Sequence, residues 1–258
     1  RNIITNTLNI SPCATRNKNG TTIAGNPNGS EGSDLSSLKG PRGILVDLGD
    51  SNTLYVVDEG NKRILKFKQG EINGQAVAEN LTRPVGVFID NDKNLYVGHS
   101  GKVLKFRPNT SVGVIVAGGN GVGSGLHQLS IHTPGLMIDQ NNNLYVSEHE
   151  NHRIVKWEPS AQTGILIAGK TNSRGKNSIR LNFPQGIVVD SIHNALYVTD
   201  CVNYTAGGVC IAGRCESGGR QPHELRASFD LKFDSDRNLI VSQTNNIQKF
   251  EIIRNQCN

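Results

Sequence analysis

The stretch NNNLYVSEHENHRIVKW, which runs from Asn141 to Trp157, has the pattern of a turn, a strand, a polar loop and a second strand. Its alternating apolar residues fit strands that are half buried. The polar loop contains His149, His152, Glu148 and Glu150, which are residue types that bind metal ions or transfer protons. The stretch therefore predicts either a chemical site or a hairpin with a structural polar loop, and the rest of the chain is needed to choose.

The same pattern recurs along the 258-residue chain. Each copy has an apolar first strand, an Asp turn closed by Asn, and a second strand close to Leu-Tyr-Val. A polar loop follows. In four copies, the loop leads to a third strand close to Arg-Ile-x-Lys-Phe. The copies are anchored 43 to 51 residues apart, at Gly43, Gly86, Gly135, Gly186 and Asp230. Repeats of this length predict a propeller or a solenoid.

A fourth strand completes each unit, and four antiparallel strands make one propeller blade. The candidate fourth strands are Thr21–Gly25, Gln75–Glu79, Val114–Gly118, Ile165–Gly169 and Val209–Gly213. We therefore predict an all-β fold with a single β-propeller of four-stranded blades, with five blades favoured and six as the alternative. Thr21–Gly25 precedes the first anchor, so we expect it to complete the blade that Phe229–Asp234 begins and to close the ring. Residues 1–20 would then form an N-terminal extension and residues 21–258 the propeller.

The repeated motif P-x-G-I-x-V-D, N-x-L-Y-V-x-D and N-x-R-I-x-K-F resembles the NHL repeat of β-propeller proteins, from about Thr21 to Ile253. The last unit departs from it with Ser228 and Asp230 in place of Pro and Gly. In the fourth unit, CVNYTAG stands where the third strand is expected. The resemblance implies a propeller that commonly has six blades. It also implies three kinds of function: scaffolding of protein contacts, RNA binding, or a lyase of the peptidyl-hydroxyglycine type.

Cysteines and glycosylation motifs favour an oxidising, extracellular environment. Near opposite ends of the chain, Cys13 and Cys257 suit a bridge that closes the ring, and no pair has C-x-x-C spacing. The remaining cysteines cluster in one short stretch: Cys201, Cys210 and Cys215. Because the total is five, one cysteine is left without a partner in the chain or pairs with another molecule. N-x-S/T motifs occur at Asn9, Asn19, Asn28, Asn80, Asn109 and Asn203, all in predicted loops or termini.

Charge and hydropathy argue against two classes of partner. The net charge is +5, but the basic residues are scattered, which does not favour a nucleic acid. No apolar run approaches the length of a transmembrane helix, so we expect no membrane span.

Few residues of the repeat suggest catalysis. We interpret the recurrent Asp as a turn residue rather than a calcium ligand in all five units: Asp47, Asp90, Asp139, Asp190 and Asp234. His149 and His152 match ordinary repeat positions, so we expect them to bond within their own turn and to bind no metal. One face of the first strands contributes a single ionisable residue to the channel: Leu45, Phe88, Met137, Val188 and Lys232. This pattern predicts neither an enzyme nor a cofactor.

The mouth of the channel is the candidate ligand site. Residues next to the Pro position enter the inner strand from the connecting loop: Arg42, Arg83, His132, Gln185 and Phe229. Two guanidinium groups, an imidazole and an amide on one rim would hold an anionic or sugar ligand, and a merely solvated rim is the alternative.

From the sequence we therefore expect a secreted, glycosylated, non-enzymatic propeller that acts as an extracellular interaction or structural module with protein or glycan partners. A propeller lyase or hydrolase is the first alternative, and an RNA-binding NHL domain is the second. Arg1–Arg16 contains a surplus strand pattern, RNIITNTL, which could add to the sheet edge of a neighbouring molecule. Repetition of such a head-to-tail contact would give a filament.

Overall fold

The computed structural model describes residues 23–26, 28–47, 50–51, 53–175, 179–190, 195–199, 230–233, 239–242 and 247–250. In these residues the regular structure is β-strand apart from one 3-10 turn, Glu59–Asn61. The all-β prediction is therefore confirmed. Among the described residues, no helix is long and apolar enough to span a membrane.

Three antiparallel sheets of four strands follow one another, each in chain order. The first contains β1 (Pro41–Asp47), β2 (Thr53–Asp58), β3 (Arg63–Phe67) and β4 (Gln75–Ala78). The second contains β5 (Pro84–Ile89), β6 (Leu95–His99), β7 (Lys102–Phe106) and β8 (Val114–Gly118). The third contains β9 (Leu136–Ile138), β10 (Leu144–Glu148), β11 (Arg153–Trp157) and β12 (Ile165–Gly169). These are complete blades of a propeller.

Two further sheets are described in part. They contain β13 (Ile187–Asp190) with β14 (Ala195–Val198), and β15 (Asp230–Phe233), β16 (Leu239–Ser242) and β17 (Ile247–Phe250). The number of blades stays a prediction. The first two residues of Thr21–Gly25 lie outside the described residues, and residues 23–25 do not form a strand, so closure of the ring by this segment also stays a prediction.

Glycine at the start of the inner strands lets adjacent blades approach closely. A Cβ atom on Gly43 would collide with the backbone oxygen of Val85, and one on Gly86 would collide with that of Thr133. Gly135 meets the backbone oxygen of Gln185 in the same way. The segment that leads into each inner strand therefore lies directly against the preceding blade, which explains the glycine of the repeat.

Apolar clusters fill the spaces between adjacent blades. Val57 and Ile64 of the first blade pack with Val97 of the second. Val103 of the second blade packs with Val146 of the third. The sequence needs apolar residues on both faces of these strands because each blade is covered on both sides.

The Asp turn of the repeat is observed in two blades. Asp90 accepts hydrogen bonds from the backbone N–H of Asn94 at 2.9 Å and from the hydroxyl of Tyr96 at 2.9 Å. In the third blade, Asp139 accepts the corresponding bonds from Asn143 and Tyr145. The turn interpretation is confirmed for these two aspartates.

Asp47 has an additional partner in the next blade, because Lys93 Nζ lies 2.7 Å from its Oδ2. The side chains of Asp190 and Asp234 lie outside the described residues.

Candidate functional site

The loop between β10 and β11 has a buried framework. Arg153 Nε lies 2.6 Å from Glu148 Oε1, and the two side chains are only 1% and 0% exposed. The same guanidinium group donates to the backbone oxygens of Ser124 and Gly125, at 2.6 and 3.0 Å. Asn151 donates to Glu148 at 2.5 Å. Glu148 and Arg153 therefore fasten the loop to the segment that precedes β9, and their role is structural.

The first blade contains the same framework between β2 and β3. Arg63 Nε lies 2.7 Å from Asp58 Oδ2, and Asn61 donates to that carboxylate at 2.8 Å. Arg63 also donates to the backbone oxygens of Ser33 and Asp34. The spacing acid-x-x-N-x-R is thus a repeated structural device rather than a site.

The two residues that follow Glu148 form a different group. Glu150 Oε1 lies 2.5 Å from His132 Nδ1 and 3.5 Å from His149 Nδ1. The backbone N–H groups complete the cluster: that of His132 donates to Glu150 Oε2 at 3.2 Å, and that of His149 donates to the backbone oxygen of His132 at 3.3 Å. The segment before β9 and the loop after β10 therefore bring His132, His149 and Glu150 together.

The environment of Glu150 keeps its carboxyl group ionised. Burial alone raises its pKa, but contacts with His149 and His132 outweigh burial and lower the pKa from its ordinary 4.5 to about 2. The His149 contact is long, and His149 Nδ1 has no aligned hydrogen-bond acceptor. His132 is therefore the better-oriented partner of the carboxylate.

The hydrogen bond to a carboxylate fixes the tautomer of His132. An ionised carboxylate can only accept, so His132 Nδ1 must carry the proton in the 2.5 Å contact with Glu150. In the neutral ring Nε2 then has a lone pair that can accept a proton. The side chains of His132 and Glu150 are 33% and 36% exposed, so solvent or a ligand can reach them. This arrangement suits a general base held by a carboxylate.

An aromatic group lies beside this pair. The ring of Phe183 is 4.7 Å from that of His149 and 4.6 Å from that of His152. His152 Nδ1 accepts the backbone N–H of Phe183 at 3.2 Å. We expected His152 to bond within its own turn, and this was wrong: its partner lies in the segment before β13 because the loops of adjacent blades meet at this face.

His152 stays neutral near pH 7. Burial lowers its pKa, and electrostatic interactions with His149 and Arg174 lower it further. Its Nδ1 therefore remains a hydrogen-bond acceptor for Phe183.

Of the predicted mouth residues that the structure describes, only His132 joins this cluster. Arg42 is exposed and pairs with Glu59 at 2.7 Å. Arg83 is exposed and has a left-handed φ of 50°. The backbone oxygen of Gln185 accepts from Ser147 at 2.6 Å, and Phe229 lies outside the described residues. A ligand-binding role for the whole set stays a prediction.

We noted Glu150 and His149 in the polar loop but interpreted that loop as structural, and we did not single out Phe183. The search for convergent titratable residues was made on the inner strands, whereas these groups lie in the loops at one end of the strands. The available signal was the difference between two otherwise equivalent loops, because His149 and Glu150 replace Glu59 and Gly60.

Other predicted features are covered only in part. The motif residues Asn28, Asn80 and Asn109 are exposed. Outside the described residues lie Arg1–Arg16 and the remaining motif and cysteine residues: Asn9, Asn19, Asn203, Cys13, Cys201, Cys210, Cys215 and Cys257. In the described part of the chain, no group of three or more His, Cys, Asp or Glu side chains is arranged to hold a metal ion.

Comparison with known proteins identifies the fold. No protein-family model and no curated protein matches the chain. A gluconolactonase from Xanthomonas campestris has a TM-score of 0.57 at 13% identity, over 85% of this chain and 78% of its own. A second, provisional gluconolactonase also has a TM-score of 0.57 at 13% identity, over 87% and 79%. Virginiamycin B lyase from Staphylococcus aureus has a TM-score of 0.51 at 17% identity, over 85% and 72%. The chain is a β-propeller.

These comparisons also correct the functional expectation. The similar structures carry the names of two gluconolactonases and a lyase, so the expectation of a non-enzymatic structural module is wrong. The physical reason is that the sequence assigned His132 to a ligand-binding mouth and Glu150 to an ordinary hairpin loop, and the two side chains meet only where the segment before β9 packs against the loop after β10. At these identities the likeness concerns the fold, and the residues of this chain must carry any argument about its chemistry.

Proposed function

We propose that this chain is a propeller hydrolase or lyase in which His132 is the general base and Glu150 orients it. The observation that carries this proposal is the 2.5 Å contact between His132 Nδ1 and Glu150 Oε1 at a solvent-accessible rim. A carboxylate that accepts from one ring nitrogen leaves the lone pair of the other nitrogen able to accept a proton. General bases of this kind contribute about 10²- to 10⁴-fold to reaction rates.

Lactone hydrolysis is the first reaction that we assign to the site. His132 Nε2 would take a proton from water, and the oxygen of that water would attack the carbonyl carbon of a cyclic ester. The ring C–O bond then breaks, and the imidazolium returns the proton to the alkoxide that leaves. The gluconolactonase names of two similar structures support this choice of substrate class.

Elimination is the second reaction, and the same base serves it. The base would remove a proton from one carbon, and the bond between the adjacent carbon and its leaving group would break as the double bond forms. The imidazolium would then return the proton to the departing group. The name of the similar lyase supports this choice. Both reactions need the same proton acceptor, so the site alone favours neither.

A substrate panel with one variant tests the proposal. We expect the protein to hydrolyse at least one lactone, measured by acid release in a weakly buffered indicator assay, or to form a new double bond, measured by ultraviolet absorbance. His132→Gln should lower the activity by at least about 100-fold. The matched control is His127→Gln, because His127 is an exposed histidine in the segment before β9. An equal activity of wild type and His132→Gln would overturn the assignment of the base.

The finer family and the location are further parts of our proposal. The repeated framework of Asp58, Asn61 and Arg63 supports an NHL-type repeat. The exposure of Asn28 and Asn80 supports glycosylation of a secreted protein. A fall in intact mass after glycosidase treatment of the native protein would agree with this location, and an unchanged mass at the polypeptide value would contradict it.

A further inference from the structure

Phe183 occupies the same repeat position as His132, because each lies three residues before the glycine of an inner strand, Gly186 and Gly135. The two residues therefore stand at the same end of adjacent blades. A single ring, that of His149, lies between them. The His149 ring is 6.5 Å from His132 and 4.7 Å from Phe183.

The side chain of Phe183 is held in place rather than loosely exposed. Its backbone has a φ of 52°, a left-handed conformation that is uncommon for a bulky residue. Such strain persists only where neighbouring groups hold the residue. Here His152 accepts its N–H at 3.2 Å and packs against its ring edge, while the ring of His149 lies at an interplanar angle of 35°.

Phe183 is half buried, so part of the residue stays accessible at the end of the blades where His132 lies. Aromatic rings in ligand sites bind flat apolar groups through face or edge contacts. We call the accessible part of Phe183 the wall of the site. Such a wall orients a substrate without donating or accepting protons.

We propose that Phe183 is the specificity-determining residue of the His132–Glu150 site and that it selects lactones or esters with a flat apolar face. This inference rests on the proposed function. His149 and His152 are positioning residues for the wall, since they contact Phe183 from two sides. The substrate would lie with its carbonyl near His132 and extend past the His149 ring, so that its flat face meets the accessible part of Phe183.

The test compares two lactones that differ in this face. Dihydrocoumarin carries a fused aromatic ring, whereas δ-valerolactone has the same six-membered ester ring without it. We expect wild type to have a lower KM for dihydrocoumarin. Phe183→Gly should raise that KM about tenfold and change the KM for δ-valerolactone less than about twofold, with kcat almost unchanged. Glycine suits the test because it adopts a left-handed backbone without strain.

A second variant protects the test against a loss of folding. Phe183→Leu keeps apolar volume but removes the flat ring, so it should reduce the preference for dihydrocoumarin while the melting temperature stays close to that of wild type. Leu35, an exposed apolar residue in the segment before β1, provides the control substitution Leu35→Gly. This control should leave both KM values unchanged.

Direct binding separates this inference from the proposed function. Saturation-transfer NMR should show that dihydrocoumarin binds to the His132→Gln variant. The double variant, which carries Phe183→Gly as well, should not bind it. If lactones are hydrolysed but the ratio of the two KM values does not change in the Phe183 variants, the role of Phe183 is overturned and the role of His132 as base is kept. If no substrate reacts but binding depends on Phe183, the wall stands and the proposed function fails. Binding that is insensitive to both residues overturns the wall.

Discussion

The loops β2–β3 and β10–β11 are built on one framework and carry different groups. Each holds a buried acid–arginine pair, Asp58 with Arg63 and Glu148 with Arg153, at 2.7 and 2.6 Å. In the first loop the next residue, Glu59, pairs with an exposed arginine. In the second loop, His149 and Glu150 meet His132 instead. The comparison separates the residues that fasten a blade from those that can perform chemistry.

A third loop shows what happens when the framework is replaced. In β6–β7 the acid–arginine pair is replaced by His99 and Lys102, which face each other across the strand pair. His99 Nδ1 still accepts a backbone N–H from the segment before its blade, that of Thr82, at 3.2 Å. Lys39 N donates to Asp58, and Ser130 N donates to Glu148, in the same way. The conserved element among these loops is therefore an acceptor for that N–H, and it need not be charged.

The largest expected effect is on stability, through the shared framework. Arg153→Ala should lower the free energy of unfolding by about 3–5 kcal/mol, because Glu148 would remain as a buried charge without its partner. Arg63→Ala is the matched substitution in the first blade and should cost a similar amount. Urea denaturation at pH 7 measures both. If one variant is as stable as wild type, the two loops do not share a structural role.

A pH effect should distinguish the third loop. Burial, with a contribution from Lys102, lowers the pKa of His99 from 6.5 to about 4. Between these values the unfolded chain binds a proton that the folded protein excludes, so stability is lost as the pH falls from about 6.5 to about 4. The loss in the free energy of unfolding that this protonation causes approaches roughly 3 kcal/mol at about pH 4.

His99→Gln removes this titration and keeps an acceptor for Thr82 N–H. The difference in unfolding free energy between wild type and variant should therefore change with pH, and urea denaturation at pH 7, 5.5 and 4.5 measures it. His127→Gln, at an exposed position, is the control. A constant difference between wild type and His99→Gln over this range would show that His99 is not excluded from protonation.

The next effect is on activity and tests the difference between the loops. Glu150→Gln should lower kcat about 100-fold on whichever substrate the protein turns over, because an amide does not stabilise the imidazolium of His132. Glu59→Gln should change kcat less than about twofold. Steady-state kinetics of the two variants decide. A similar loss of kcat in both variants would mean that the β10–β11 loop has no catalytic role that the β2–β3 loop lacks.

The smallest expected effect concerns the contact between blades. Gly135→Ala places a methyl group against the backbone oxygen of Gln185 and should cost about 2 kcal/mol. Gly40→Ala tests backbone conformation alone, because its φ is 54° and nothing lies within 4 Å of the added atom. It should cost about 1 kcal/mol. Thermal unfolding compares them, and an equal cost would remove the steric argument for the repeat glycine.

Several structural elements could be predicted from the sequence because they repeat. The strands Val114–Gly118 and Ile165–Gly169 have the predicted bounds, and the degenerate strand at Gln75 is present as β4. Asp90 and Asp139 close their turns as expected. Local signals sufficed for these elements, because alternation and turn chemistry act over a few residues.

The site could be predicted only in part. His132 was selected because it precedes an inner strand, but its partner Glu150 is 18 residues away and was assigned to an ordinary hairpin loop. Phe183 reaches His152 from 31 residues further along the chain. No local pattern encodes such distances.

The sequence by itself determined the repeat, the strand pattern of each blade and the glycine near the start of the first four inner strands, since each depends on short-range sterics and alternation. Only the tertiary structure decided which polar residues meet. Stacking of blades brings the segment before one inner strand against a loop that is distant in sequence, and it gives Glu150 two imidazole neighbours that lower the pKa of its carboxyl group to about 2. Electrostatic and hydrogen-bond interactions depend on distances of a few ångströms, and these distances are set by packing between blades.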